Sequence, residues 1–223
     1  MFEAYTIPLY NGRTFRVETE EAQDWYDPIK WYTLLEYQWV TENVKLAGEK
    51  VLECGGHHGH YSLALADNNE LVVVEPHPEN VAIIKRNLEG NGINAKVVEG
   101  AVADMHEQRH FSGATNGRLV NYGGFYVQCY MLKELLPDAG IIKLDIEGGE
   151  YNVLPDGIDM MPKTHTWIVE LHPQYGNPVH ICDAFLHAGF EAVKVCREHR
   201  KVEPYDMSEE WRTHATVIFR RAQ

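Results

Sequence analysis

Cysteine is scarce and scattered: Cys54, Cys129, Cys182 and Cys196 form no C-x-x-C pair. That spacing argues against a zinc knuckle and a disulfide framework, and it suits a reducing compartment. Basic charge is also short. Lys and Arg number 20 against 33 Asp and Glu, for a net charge of −13 and a pI of about 5.3. A polyphosphate duplex needs a local basic patch, and the densest basic stretch, Lys194 to Lys201, is interrupted by Glu198. Nucleic acid is therefore not an expected partner. No apolar run has the length that spans a bilayer, and the first residues lack a signal-peptide pattern. Membrane contact is not expected, and the cytoplasm is the expected location. No internal repeat or low-complexity segment is present. The 223 residues, 44% hydrophobic and 24% charged, have the composition of a soluble domain with a substantial core.

Two apolar runs end in acids. Val51-Leu52 leads into Glu53, followed by Gly55, Gly56 and Gly59, and Leu71 to Val74 leads into Glu75, about 20 residues further on. Strands that each deliver a carboxylate at the C-terminal end, with a glycine turn after the first, describe a nucleoside-binding crevice. Glycine suits a place where backbone passes close to a ligand, and the second acid can accept hydrogen bonds from a ribose diol. Aligned on G-x-G-x-x-G, Cys54 falls where the first glycine of a dinucleotide site belongs. The fitting pattern is acid-x-Gly-x-x-x-Gly, from Glu53 through Gly55 to Gly59. Its acid would repel a pyrophosphate and attract a cationic ammonium, which points to S-adenosylmethionine. The bland alternative is a glycine turn of an ordinary α/β protein.

Along the chain, Tyr5, Ile7 and Leu9 alternate, Asn11-Gly12 supplies a turn, and Phe15 and Val17 return, so residues 5–17 read as a hairpin. A helix is expected over 27–43, with Asp27 as N-cap and Pro28 in its first turn. Its aromatic residues Trp31, Tyr32, Tyr37 and Trp39 could pack on the domain, border a pocket or form a homo-oligomer surface. From there strands (50–54, 70–75, 95–99, 141–145, 166–171, 190–196, 214–220) alternate with helices (59–67, 78–91, 148–155, 177–188). This alternation predicts an α/β fold with a doubly wound, mostly parallel sheet and an antiparallel pair at one edge. Residues 1–46 read as a hairpin and cap helix, and 47–223 as a Rossmann-like domain. The Gly-rich stretch 104–126 reads equally as a mobile lid or as a surface hairpin.

The site chemistry lies further on. In IIKLDIEGGE, residues 141–150, Lys143, Asp145 and Glu147 alternate on one face, and Lys143 needs a carboxylate partner, Asp145 or Glu53. In WIVELHP, residues 167–173, Glu170 and His172 straddle a strand end. With Asp145 they could deprotonate a hydroxyl, His172 being the base, or hold a divalent cation, or merely satisfy loop backbone. The base is the preferred reading, oriented by Glu170, and no metal is expected. His57, His58 and His60 are not expected to bind metal either, because adjacent side chains should point apart.

VLECGGHHG, VVVEPHPEN, EGAVAD and above all KLDIEGGE resemble the FkbM-type methyltransferases, a branch of the class I S-adenosylmethionine-dependent enzymes. The resemblance runs from about residue 50 to 173. It implies a seven-stranded sheet with an antiparallel last strand. It places Glu53 and Gly55 at the methionine part of the cofactor, Glu75 at the ribose, Ala101, Val102 and Asp104 near adenine, and Asp145 beside the methyl group. Such enzymes usually have Asp at the position of Glu53 and Ala-Asn at Gly56-His57. The expected activity is O-methylation of a small molecule or glycan. A nicotinamide-dependent oxidoreductase and a non-catalytic nucleoside-binding regulator are the alternatives.

Overall fold

The computed structural model describes residues 3–9, 11–26, 34–67, 70–197, 201–204 and 214–221. The chain opens with the hairpin of β1 (Tyr5–Pro8) and β2 (Thr14–Val17), antiparallel as expected, with Gly12 at φ 78 in its turn. Helices α1 (Glu20–Tyr26) and α2 (Leu34–Asn43) follow. The expected cap at Asp27-Pro28, and Trp31 and Tyr32, lie outside the described residues. Then come β3 (Lys50–Cys54), α3 (His60–Leu65), β4 (Glu70–Glu75), α4 (Pro78–Gly90) and β5 (Lys96–Glu99). Four short strands, β6 (Ala101–Val102), β7 (Gln108–Phe111), β8 (Leu119–Val120) and β9 (Phe125–Tyr130), precede α5 (Leu132–Leu135). The rest is β10 (Ile141–Leu144), α6 (Glu150–Met160), β11 (Thr166–Leu171), α7 (Pro178–His187), β12 (Phe190–Arg197), β13 (Lys201–Glu203) and β14 (Ala215–Arg221).

The central sheet has the order β12-β14-β11-β10-β3-β4-β5, with the short β13 added beside β12. Strands β3, β4, β5, β10 and β11 are mutually parallel, and β14 runs antiparallel to both β11 and β12. The seven-stranded doubly wound sheet with an antiparallel last strand is therefore present. Period-two alternation divides its side chains. Leu52, Val72, Val74, Ile142, Trp167, Val169 and Phe219 face the layer containing α6 and α7. Val51, Leu71, Val73, Ile141, Ile168 and Ile218 face the other layer, with Leu63, Ile84 and the hairpin residues Phe15 and Val17. The N-terminal hairpin thus shares a core with the main sheet. Tyr37 is fully buried there, so its ring serves packing rather than a partner surface.

One expectation is corrected. The helix expected to end at 155 continues through Pro155 to Met160. Leu154 and Ile158 are buried on the core, which outweighs the backbone bond that proline removes. The stretch 104–126, read equally as a lid or a hairpin, folds into strands with β7 and β8 antiparallel. It contributes β7, β8 and the start of β9 to a small sheet of order β6-β9-β7-β8, with Phe111, Val127 and Cys129 as its own core. Two of its glycines are used for close packing: a Cβ on Gly124 would collide with the Phe111 carbonyl, and one on Gly117 would come within 2.5 Å of the Ser112 hydroxyl. Among the described residues no helix is long and apolar enough to cross a membrane.

Candidate active site

Every parallel strand points its C-terminal end at one cavity of about 910 Å³, where ligands of open α/β sheets bind. Glu75, at the tip of β4, is on its wall. The backbone N–H groups of His57 and His77 donate to its carboxylate at 2.9 Å each, and the Asn80 amide donates at 3.1 Å. Burial nevertheless raises its pKa to about 7 against those donors. The same Asn80 amide donates to the Thr115 carbonyl at 2.7 Å, and the Thr115 hydroxyl reaches Glu21, so the small sheet is pinned over this end of the cavity. Ala101, Val102 and Asp104 line the wall nearby, with Asp104 held by Arg109 at 3.0 Å.

The glycines also serve close packing. A Cβ on Gly55, which has φ 82, would strike the Asp145 carbonyl, and one on Gly56 would approach Val73 and Ile84 to 2.6 and 2.8 Å. Gly59, at φ 83, packs against Ile84 and is not on the wall. These residues let β3, β10 and α4 close on one another, and only Gly55 and Gly56 also face the cavity. Glu53 is fully buried behind the wall rather than on it. Ser62 donates to Glu53 Oε2 at 2.5 Å, whereas Oε1 has no hydrogen-bond partner among the described residues. Burial raises the Glu53 pKa to about 7, opposed chiefly by the nearby Lys143 ammonium.

Lys143 is paired directly with Glu53 in the register of β10 and β3. Its Nζ donates to Asp145 Oδ2 at 3.1 Å and to the Gly55 carbonyl at 3.2 Å, so Asp145 is the expected partner. Burial alone would lower the Lys143 pKa, yet Asp145 and Glu53 hold it above the ordinary value. Burial likewise opposes ionisation of Asp145, and Lys143 and His172 keep its pKa well below the usual carboxylate range.

His172 is buried among four carboxylates. Its Nδ1 lies 3.2 Å from Glu150 Oε1, and its Nε2 lies 3.5 Å from Glu147, 3.9 Å from Asp145 and 4.0 Å from Glu170. Glu150, itself fully buried, also accepts the Ile146 backbone N–H at 2.9 Å. Burial would lower the imidazole pKa, but the Glu150 contact and the surrounding charge raise it to about 10. This favours the charged ring and weighs against His172 as the base, because an imidazolium has no lone pair to receive a proton. Glu147, at φ 52, has a pKa raised to about 7 by burial and by Asp145. The three expected residues Asp145, Glu170 and His172 do come together, and Glu147 and Glu150 join them.

A second correction concerns the histidines. His57 and His58 do not point apart; their rings stack at 4.1 Å, because His57 takes a left-handed φ of 46 and strand alternation fails. Burial and the neighbouring imidazole lower the His57 pKa to about 3. Residues missed from sequence include Tyr26, whose hydroxyl meets His57 Nδ1 at 2.5 Å, and Glu36, which accepts from Tyr61 at 2.5 Å and Thr216 at 3.0 Å. All but Thr216 of these line the cavity. Both come from the N-terminal helices, where the sole signal was an excess of aromatic residues.

The fold agrees with known proteins. A S-adenosylmethionine-dependent methyltransferase from Agrobacterium tumefaciens is 13% identical with a TM-score of 0.61, over 100% of this chain and 71% of that one. TYW2 of M. jannaschii, solved in complex with AdoMet, is 12% identical with a TM-score of 0.55, over 98% and 87%. A TehB-like methyltransferase from Corynebacterium glutamicum is 11% identical with a TM-score of 0.54, over 91% and 96%. At such identities these structures establish the fold. No curated protein sequence matches the chain. The methyltransferase FkbM domain matches residues 53–192, from the acid that ends β3 into β12. A match over more than half of the sequence displaces the nicotinamide alternative, and the chain belongs to the FkbM methyltransferases, a family of S-adenosylmethionine-dependent enzymes.

Proposed function

We propose that the protein transfers a methyl group to a hydroxyl oxygen of a small molecule or glycan in the cytoplasm. The observation that supports this reading is the continuity of one cavity. Glu75 stands on its wall at the tip of β4, and the cluster of Asp145, Glu170 and His172 stands on the same wall at the tips of β10 and β11. The remaining wall carries Asn116, Asn152 and Gln174, polar groups suited to a hydroxyl-bearing acceptor. Net charge disfavours RNA. Cys54, Cys129 and Cys182 are free and buried, which suits a reducing compartment.

S-adenosylmethionine supplies, when bound, a methyl carbon activated by a sulfonium. The residues fit it: Glu75 would hold the ribose hydroxyls, Ala101, Val102 and Asp104 the adenine end, and Gly55 and Gly56 the backbone wall between. Glu53, with its unpartnered Oε1, would attract the ammonium from behind Gly55. Asp145 orients the acceptor hydroxyl. As the acceptor oxygen took the methyl group, Glu170 would receive the hydroxyl proton. His172 would help to keep Asp145 ionised and in place.

Labelled methyl groups from the cofactor, offered with a cell extract, are expected in small molecules or glycans as base-stable ethers. Label confined to RNA or to amines, or no calorimetric binding of S-adenosylhomocysteine, overturns the proposal. Asp145→Asn is expected to lower turnover about 10²–10³-fold while S-adenosylhomocysteine affinity changes only a few-fold. Unchanged single-turnover rates would remove Asp145 from the reaction.

Cofactor affinity should depend on pH. Glu53 and Glu75 both titrate near 7, and a diol or an ammonium favours the ionised acid. Binding is therefore expected to strengthen from pH 6 to pH 8 and to release protons below pH 7. Calorimetry in buffers of different ionisation enthalpy reads this directly, and a flat profile would contradict it.

A further inference from the structure

We propose that Asp145, Glu147 and His172 form a binding site for a divalent cation of the manganese-to-zinc kind. The proposal rests on the methyl-transfer reading only for what the ion would do there, which is to bind and acidify the acceptor hydroxyl.

One ligand atom from each of the three residues lies within 4.8 Å of the other two. His172 Nε2 stands 3.5 Å from Glu147 Oε2 and 3.9 Å from Asp145 Oδ1. These distances are too long for hydrogen bonds. They match the gaps of roughly 3–4 Å between neighbouring ligands of an ion bound at about 2.1 Å. The atoms are thus arranged around a space, not against one another.

The far side of the imidazole supports this arrangement. Nδ1 faces Glu150 Oε1 at 3.2 Å, and Glu150 is fully buried on the first turn of α6. That contact is a close charge pair without hydrogen-bond alignment, and an ion on Nε2 would leave Nδ1, beside this carboxylate, as the proton-bearing nitrogen. A divalent ion would occupy the place that a proton on Nε2 holds in the metal-free chain.

Asp145 is divided in the same sense. Lys143 takes Oδ2, and Oδ1 is the oxygen directed at His172. Glu147 reaches the group through a left-handed backbone, φ 52, which a residue with a Cβ rarely adopts and which the adjoining Gly148 at φ 97 allows. Backbone held in such a state concentrates at functional sites. All three residues lie on the cavity wall, leaving further coordination positions open to an acceptor.

Ligand type narrows the ion. Two carboxylates and one imidazole suit manganese, iron or zinc, whereas magnesium and calcium prefer oxygen alone.

The test uses the whole protein, stripped with chelator, dialysed and titrated with Mn2+ and separately with Zn2+. Calorimetry reads stoichiometry, and electron paramagnetic resonance reads free Mn2+. One ion per chain is expected, with Glu147→Gln weakening it at least 10-fold and Asp145→Asn doing the same. Circular dichroism and S-adenosylhomocysteine binding establish that both variants fold. A sample that binds S-adenosylhomocysteine but takes up neither ion overturns the cation site and leaves the methyltransferase reading standing. Uptake unaffected by either substitution also overturns it. Stoichiometric, substitution-sensitive uptake by a chain that binds no S-adenosylhomocysteine supports the cation site and sinks the function proposed above.

Discussion

Lys143→Met is expected to destabilise the protein by about 3 kcal/mol or more, the cost of removing one partner of a buried ion pair. For a chain of this length the melting temperature should fall by roughly 6–12 °C. Lys143 is the cation between Glu53 and Asp145, and its Nζ also ties the Gly55 carbonyl to β10. Without it Asp145 loses its partner at Oδ2, and Glu53 is left with the Ser62 hydroxyl alone. Adding Glu53→Gln to Lys143→Met should restore part of the loss, because it removes one of the stranded acids. Thermal unfolding of the two variants checks both statements. A melting temperature within 2 °C of the parent would show that the pair is not coupled to stability.

Glu75→Gln is expected to weaken S-adenosylhomocysteine binding about 100-fold, read by calorimetry. A carboxylate that accepts from a ribose diol makes charge-assisted hydrogen bonds worth roughly 1.5–3 kcal/mol each, and a neutral amide accepts them poorly. The amide NH2 would also face one of the His57 and His77 N–H donors that now point at the acid. Retention of affinity within threefold would remove Glu75 from the cofactor site. The two acids near pKa 7 carry a stability signature as well. Their folded values lie above the ordinary 4.5, so between those limits the folded state holds more protons than the unfolded one. The stability they contribute is complete below pH 4.5 and is lost as pH rises through about 7. Glu53→Gln should flatten that part of the profile.

The sheet was legible because its strands are short apolar runs and its helices carry clear signals, as at Asn177, whose side chain caps the start of α7 by accepting the Val179 N–H at 3.1 Å. The acids Glu53, Glu75, Asp145 and Glu170 were legible for a related reason: each interrupts or ends an apolar run, where a charge has no structural use. Three things were not. The ionisation of His172 depends on Glu147 and Glu150 curling back around it, and spacing in sequence does not report a count of neighbours in space. The stacking of His57 on His58 depends on a single left-handed residue. The small sheet of β6 to β9 is built from strands as short as two residues, too brief for any periodicity, and its glycines resemble those of a loop. Glu36 and Tyr26 approach the cavity from a segment whose pattern concerns only the core.

Strand β14 is slotted between β11 and β12, and β12 joins the sheet through it alone. On the ribosome, residues 215–221 emerge after every other element of the sheet. Until then β11 presents an open edge, β12 and β13 have nothing to add to, and Glu36 lacks the Thr216 hydroxyl it will accept. The nascent chain can build the cofactor crevice early, but it must hold that exposed edge unpaired and at risk of association with other chains. Closure of the sheet therefore waits on its last strand, and translation slowed before residue 215 would lengthen the vulnerable interval.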